Sequence, residues 1–319
     1  LENIYKHPEG ECVSILVVGS IALDSVATPF GKAEEALGGS AVHFSASASF
    51  FSKIHLVGVV GDDFPEKEIE FLKVRGVDCS GIKIEKGKTF RWKGEYGFDL
   101  NVAQTIETHL NVFSDFAPQI PGALREKEFL FLANIHPKLQ LDVLQQVKRP
   151  KLVALDTMNF WIQGELEALK KVISKVDLMI INEGEARELT KEASLLKAAR
   201  LIQSWGPAVV VIKRGEYGAL LLHKNDIFSA PGLPLESVKD PTGAGDSFAG
   251  GFMGYLARKN SLDLETMKQA VIVGSAMASF NVEDFSCRRL KNLTMAEINQ
   301  RINEFKKLSH FEWKHSDNF

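Results

Sequence analysis

Short runs in which every position is apolar recur along the chain at residues 15–18, 56–60, 129–132, 152–155, 178–181 and 209–212. They are rich in Val, Ile and Leu, and they do not alternate with polar residues. That pattern fits strands buried on both faces of a parallel sheet. Most are separated by stretches with helical periodicity, at residues 39–52, 65–75, 163–176 and 195–205. The C-terminal third then reads as helix at 246–258, 264–280 and 295–308. Strands and helices in this order predict an α/β fold with a mainly parallel central sheet between helical layers.

One region has a different period. Phe90, Trp92, Tyr96 and Phe98 fall on even positions, interrupted by Gly94, while Arg91, Lys93 and Glu95 fall on odd ones. Successive side chains of a strand point to opposite faces, so this is a two-faced strand. A second alternating run over residues 102–112 follows a turn near Asp99 and Asn101, which predicts a hairpin projecting from the main sheet. Its aromatic face needs a cover: a substrate, a second subunit, or the protein's own core. The chain thus divides into a main α/β unit, residues 1–23, 38–83 and 114–319, and a small β lid, residues 24–37 and 84–113.

Candidate chemistry gathers at strand ends. Asn134, Asp156, Asn182 and Lys213 each follow an apolar run immediately. Ligands of open parallel sheets bind at the carboxyl ends of the strands, so these residues are expected on one rim. The segment from Asp240 to Gly251 reads Asp-Pro-Thr-Gly-Ala-Gly-Asp-Ser-Phe-Ala-Gly-Gly. Gly243, Ala244 and Gly245 carry little side-chain bulk, so their amides can converge on a phosphate where a helix starts. Asp246 then stands where it can take a proton from a hydroxyl attacking that phosphate. Helix capping explains an Asp here equally well. A Walker loop needs Gly-Lys-Ser/Thr at the close of the turn, and a dinucleotide fingerprint needs Gly or Ala where this chain has Phe248. Upstream, Asp24 can accept hydroxyl hydrogen bonds, and Gly38 and Gly39 allow close approach to the backbone.

The run through Asp246 resembles, position by position, the C-terminal signature of the ribokinase-like (PfkB) family of carbohydrate and nucleoside kinases. The resemblance implies a three-layer fold with a mainly parallel central sheet and a small β lid. It implies that Asp246 is the catalytic base, that Gly243, Ala244 and Gly245 form the anion hole, and that Thr242 lies against the nucleotide. Asp24, Gly38 and Gly39 correspond to substrate contacts, with Phe90 and Trp92 closing from the lid. His43 stands where many members have Asn. Asn182 and Glu185 match an Asn-x-x-Glu motif that organises magnesium and phosphates, usually through water, although the same spacing makes a helix capping box. Lys213, Gly215 and Gly218 occupy the nucleotide loop, with Lys213 in place of a common Thr. Ser275 would flank the adenine, or simply serve helix packing. ATP and magnesium are the implied cofactors, with a monovalent cation left open.

Composition narrows the field further. Of 319 residues, 45% are hydrophobic and 25% charged, with a net charge of −3, which suits a folded core and argues against a nucleic-acid partner. Cys12, Cys79 and Cys287 are too far apart for zinc pairs or a disulfide framework. No apolar run approaches a membrane span and residues 1–11 are too polar for a signal peptide, so a cytoplasmic location is expected. The expected activity is ATP-dependent phosphorylation of a hydroxymethyl group on a sugar, with a nucleoside as the second acceptor class. A non-catalytic sugar- or nucleotide-binding regulator is the contrasting reading, and Asp246 with Asn182 and Glu185 argues against it. The expected partners are a small-molecule sugar or nucleoside and a second copy of the chain, joined through the lid. Asp246 is expected to be an ordinary, fully ionised carboxylate at neutral pH.

Overall fold

Thirteen strands organise the computed structural model, which describes residues 13–310: β1 (Ile15–Val18), β2 (Ala22–Thr28), β3 (Gly31–Gly38), β4 (Ile54–Gly61), β5 (Val77–Glu85), β6 (Phe90–Tyr96), β7 (Ala103–His109), β8 (Phe129–Leu132), β9 (Leu152–Leu155), β10 (Leu178–Asn182), β11 (Val209–Lys213), β12 (Ala219–His223) and β13 (Asp226–Ala230). Nine form a main sheet in the order β13-β12-β11-β10-β9-β8-β1-β4-β5, and four form a small one in the order β3-β2-β6-β7. Cys12 and the polar segment 1–11 lie outside the described residues.

The uninterrupted apolar runs are buried on both faces because helices cover both. Along β1, Ile15 and Val17 enter one apolar cluster, which includes Phe44, Phe131, Phe252 and Phe280. Leu16 and Val18 enter the other, with Leu130, Leu132, Ile181 and Ile212. A strand whose two faces are both dry has no position for a polar side chain until it ends. The first polar groups therefore appear together at the carboxyl edge.

Two elements differ from the sequence expectation. The helix expected over 163–176 is two helices, Asn159–Gly164 and Leu166–Ile173, divided at Glu165 with φ −132 and ψ 35. The sheet also continues beyond β11 into the antiparallel strands β12 and β13. The loop after Lys213 is therefore a hairpin turn, in which Arg214 N–H donates to Gly218 O at 2.8 Å.

In the small sheet β2 pairs with β6 in parallel and with β3 antiparallel, and β6 pairs with β7. Its expected aromatic face divides between several covers. Phe90 stacks on Phe113 at 5.2 Å between centroids, Trp92 and Tyr96 pack on Val26, Ala33 and Phe285, and Phe98 is left 87% exposed. Asp63 fixes the start of β6 by accepting hydrogen bonds from both the amide and the hydroxyl of Thr89 at 2.7 Å and by pairing with Arg91 at 2.8 Å. Among the described residues, Cys79 and Cys287 are free thiols, and no helix is long and apolar enough to cross a membrane.

Candidate active site

The Asp240–Asp246 segment turns into the helix Ala244–Lys259 through Gly243, whose φ of 74 lies in the left-handed region. That conformation suits glycine, and so does the space, since a Cβ there would fall 2.3 Å from the His43 ring. Asn281 clips the turn from below. Its Nδ2 donates to Thr242 O at 2.8 Å, and its Oδ1 accepts from Ser247 Oγ at 3.0 Å and meets His43 Nδ1 at 3.2 Å. Because Asn281 presents its oxygen, His43 carries its proton on Nδ1. His43 is 2% exposed, and burial holds its pKa below the usual value. It supports the turn from beneath as a neutral ring. The Ala244 amide already donates to Pro241 O at 3.1 Å, so the anion setting rests on the neighbouring amides at the start of this long helix and on the helix dipole.

Around this place stand Asp24, Asp156, Glu185 and Asp246, with Lys213 among them. Burial pushes the Asp246 carboxyl well above the usual carboxylate range, and the charges of Asp156, Asp24 and Glu185 add to this while Lys213 opposes it. The expected ordinary acidity is thus corrected: in the ligand-free protein this carboxylate is held toward its neutral form. Asp156, at the end of β9, accepts from Thr157 N at 2.9 Å and from Lys213 Nζ at 3.4 Å. Burial alone would lower the lysine pKa, but Asp156, Glu185 and Asp246 outweigh it and keep the ammonium charged. The Lys213 ammonium also lies only 2.9 Å from where a Cβ on Gly245 would sit.

Asn182 and Glu185 form the reciprocal capping box in full. Asn182 Oδ1 accepts from Glu185 N at 2.8 Å, and Glu185 Oε2 accepts from Asn182 N at 3.0 Å. The box does not exhaust the carboxylate, which burial, then Asp156, pushes up to about 7. A Glu185 carboxyl pushed toward its neutral form by burial and by the neighbouring Asp156 charge would be favoured in its ionised form by a cation close to it. Among the described residues no three His, Cys, Asp or Glu side chains cluster closely enough to hold a metal directly. A divalent cation that keeps much of its water shell needs few direct protein ligands.

On the other side of the turn, Asp24 in β2 is 8% exposed and accepts from Gly39 N at 3.3 Å. Burial pushes it up to about 7, with Asp240 adding to the effect and the Gly39 amide opposing it. Gly38 is open for this carboxylate, because a Cβ there would stand 2.0 Å from Asp24 Oδ2. Gly39, at φ 94, caps the helix Ser40–Ala48. A cavity of about 10 Å³, enough for a single water, lies between Asp24, His43, Thr242 and lid residues Val26 and Ala33. The lid touches the anion turn where Thr242 Oγ1 donates to Tyr96 OH at 3.3 Å. Trp92 Nε1 donates to Thr105 Oγ1 at 3.2 Å within the lid, and Phe90 faces Phe113.

The hairpin turn after β11 carries Gly215 at φ 55 and Gly218 at φ 91. The lid tip reaches this turn, since a Cβ on Gly215 would lie 2.0 Å from Asn101 Oδ1. Ser275 is half-buried on the helix Leu264–Asn281; its neighbour Gly274 packs so closely that a Cβ would fall 2.8 Å from Phe248 O. Two parts of the site had no sequence signature. Asn281 acts through tertiary contacts alone, and Trp161 donates from Nε1 to Asn134 Oδ1 at 2.8 Å, fixing a wall beside Ser40.

A glycine turn that opens a long helix, an ammonium against it, a carboxylate in the first helical turn and a further carboxylate on the other side suit phosphoryl transfer to an alcohol. Residues 14–293 match the pfkB family of carbohydrate kinases, and the chain belongs to that family, whose members are sugar and nucleoside kinases. It is 31% identical over 257 residues to a cytidine kinase of Thermococcus kodakarensis, covering 79% of this chain and 91% of that one. It is 22% identical over 311 residues to an inositol 3-kinase of Arabidopsis thaliana, covering 95% and 83%. Its fold is similar to that of the Methanocaldococcus jannaschii nucleoside kinase, a ribokinase-family member, with a TM-score of 0.73 at 20% identity over 92% of this chain and 99% of that one.

Proposed function

We propose that the protein transfers the γ-phosphoryl group of ATP to a hydroxymethyl group of a sugar, with Asp246 as the base. The observation that carries this reading is the placement of Asp246 in the first turn of the helix whose start is the Gly243–Gly245 turn. The acceptor hydroxyl loses its proton to the Asp246 carboxylate. Its oxygen bonds to the γ-phosphorus as the bond to the β–γ bridging oxygen breaks, and the electron pair leaves with ADP. Asn182 and Glu185 would hold magnesium through water, and the ion when bound would offset phosphate charge. Asp24 orients the acceptor by taking its hydroxyl hydrogen bonds.

A second reading, in which the sugar is the ribose of a nucleoside, draws support from the wall beside Ser40. Phe160 is 61% exposed and packs edge-on against Trp161, whose ring Asn134 holds, while the buried hydroxyl of Thr157 has no partner among the described residues. An exposed aromatic ring three residues along the chain from an unsatisfied hydroxyl suits a planar base. The likeness to a cytidine kinase favours the same acceptor.

ADP release measured with magnesium and ATP across a panel of free sugars and nucleosides tests the acceptor. Asp246→Asn tests the chemistry: ATP affinity and fold should persist while turnover falls at least about 100-fold, the usual scale for a general base. Near-normal turnover in the folded variant would refute the assignment.

A further inference from the structure

Lys213 is a buried cation with more hydrogen-bonding capacity than the protein uses. Its side chain is 15% exposed and that of Asp156 is 6% exposed. An ammonium has three donors, yet among the described residues Asp156 is the one acceptor it meets, at 3.4 Å. A well-made ion pair of this kind closes to roughly 2.7–2.9 Å. The ammonium instead stands off from Asp156 and lies against Gly245 on the anion turn, 2.9 Å from its Cβ position. Two donors of a buried charge are thus left for a ligand at that turn, and only an anion would suit both the charge and the helix start.

Sequence and topology agree with this placement. Lys213 is the last residue of β11 and pairs in register with Asn182, the last of β10. The family commonly has Thr here, which offers one neutral donor in place of a full charge.

We propose that Lys213 is a catalytic cation, hydrogen-bonding oxygens of the phosphoryl group in transit while Asp156 positions its ammonium. This rests on the phosphotransfer site described above. Lys213 keeps its proton throughout: the acceptor proton passes to Asp246 and the leaving electron pair to ADP. The phosphoryl group flattens and moves between donor and acceptor, so an ammonium placed to meet its oxygens in transit holds them more strongly in the transition state than at rest and accelerates the step.

Two variants are compared with the wild type: Lys213→Met, and Lys213→Met combined with Asp156→Asn, which also removes the carboxylate charge that pairs directly with Lys213. Calorimetry reads the affinity for magnesium–ADP alone and for magnesium–ADP with fluoroaluminate, a mimic of the phosphoryl in transit, so no acceptor need be known. Affinity for magnesium–ADP should stay within about threefold, while the additional affinity conferred by fluoroaluminate drops about 100-fold, the scale of one lost oxyanion contact. The double variant should show the same drop. A fluoroaluminate gain preserved in the double variant overturns the proposal. So does an equal loss for magnesium–ADP alone, which would make Lys213 a resting-state nucleotide contact. If the wild type itself gains nothing from fluoroaluminate, the phosphotransfer site fails, and the Lys213 proposal fails with it.

Discussion

Asp24→Asn should make the ligand-free protein more stable, and increasingly so as pH rises. Burial moves the Asp24 carboxyl from an ordinary 3.8 up to about 7, so the folded state holds a proton that the unfolded chain releases earlier. Between these two values the folded protein binds more protons, and wild-type stability declines as pH rises from about 4 to about 7 before levelling. A shift of about three units at about 1.4 kcal/mol each makes the full cost about 4 kcal/mol. At 8% exposure the group is little screened by water, so most of that cost should be measurable. Asparagine is nearly isosteric, keeps an oxygen for the Gly39 amide, and carries no charge.

Urea unfolding in the absence of ligands at pH 5.5 and pH 8 measures the effect. The variant should gain about 2 kcal/mol at pH 5.5, where the wild type is still largely protonated, and about 4 kcal/mol at pH 8. Acceptor affinity should move in the opposite direction, weakening by an amount consistent with about 1.5–3 kcal/mol of lost charged hydrogen bonds. A variant no more stable at pH 8 than at pH 5.5, relative to wild type, would refute the reasoning. It would mean that the Gly39 amide already offsets the burial of the charge.

The remaining expectations concern the metal and the lid. Glu185→Gln retains an oxygen able to cap Asn182 N, so a thermal melt should change little while half-maximal activity needs more magnesium; an unchanged magnesium titration limits Glu185 to capping. Every residue of β7 is exposed, with Ile106 46% exposed, so a dimer formed through the lid should revert to monomer in Ile106→Glu. Light scattering decides this, and a wild type that is monomeric at working concentrations ends the idea.

Much of the fold was legible because burial on both faces leaves a continuous apolar run, and the six runs read from the sequence all lie in the main sheet. The β12–β13 extension was not, because it is an edge hairpin: β13 is largely exposed, and its Asp226–Ala230 pattern is too mixed to betray a strand. The period of two put Phe90, Trp92 and Tyr96 on one strand, while Phe98 lies beyond its end and is exposed; a period tells which residues share a face and not what covers it. Phe113 and Phe285 supply most of that cover, and neither falls on an alternating partner of these residues. The Gly243–Gly245 turn into its helix was legible because its residues are contiguous. Asn281 was not, since the atoms it joins lie 39 residues away at Thr242 and 238 away at His43.

What no linear pattern carries is the summed field at the site. Burial pushes the Asp246 proton affinity up, Asp156, Asp24 and Glu185 add to it, and Lys213 is set against them. A base held toward its neutral form cannot accept a proton, yet a high intrinsic proton affinity is what a base needs once it is ionised. The arrangement resolves this only when further positive charge enters, because each cation favours ionised Asp246. ATP alone would add negative charge to a place already crowded with it. Nucleotide and metal therefore suit the site together, and the self-repulsion of the empty site is the stability given up for that selectivity.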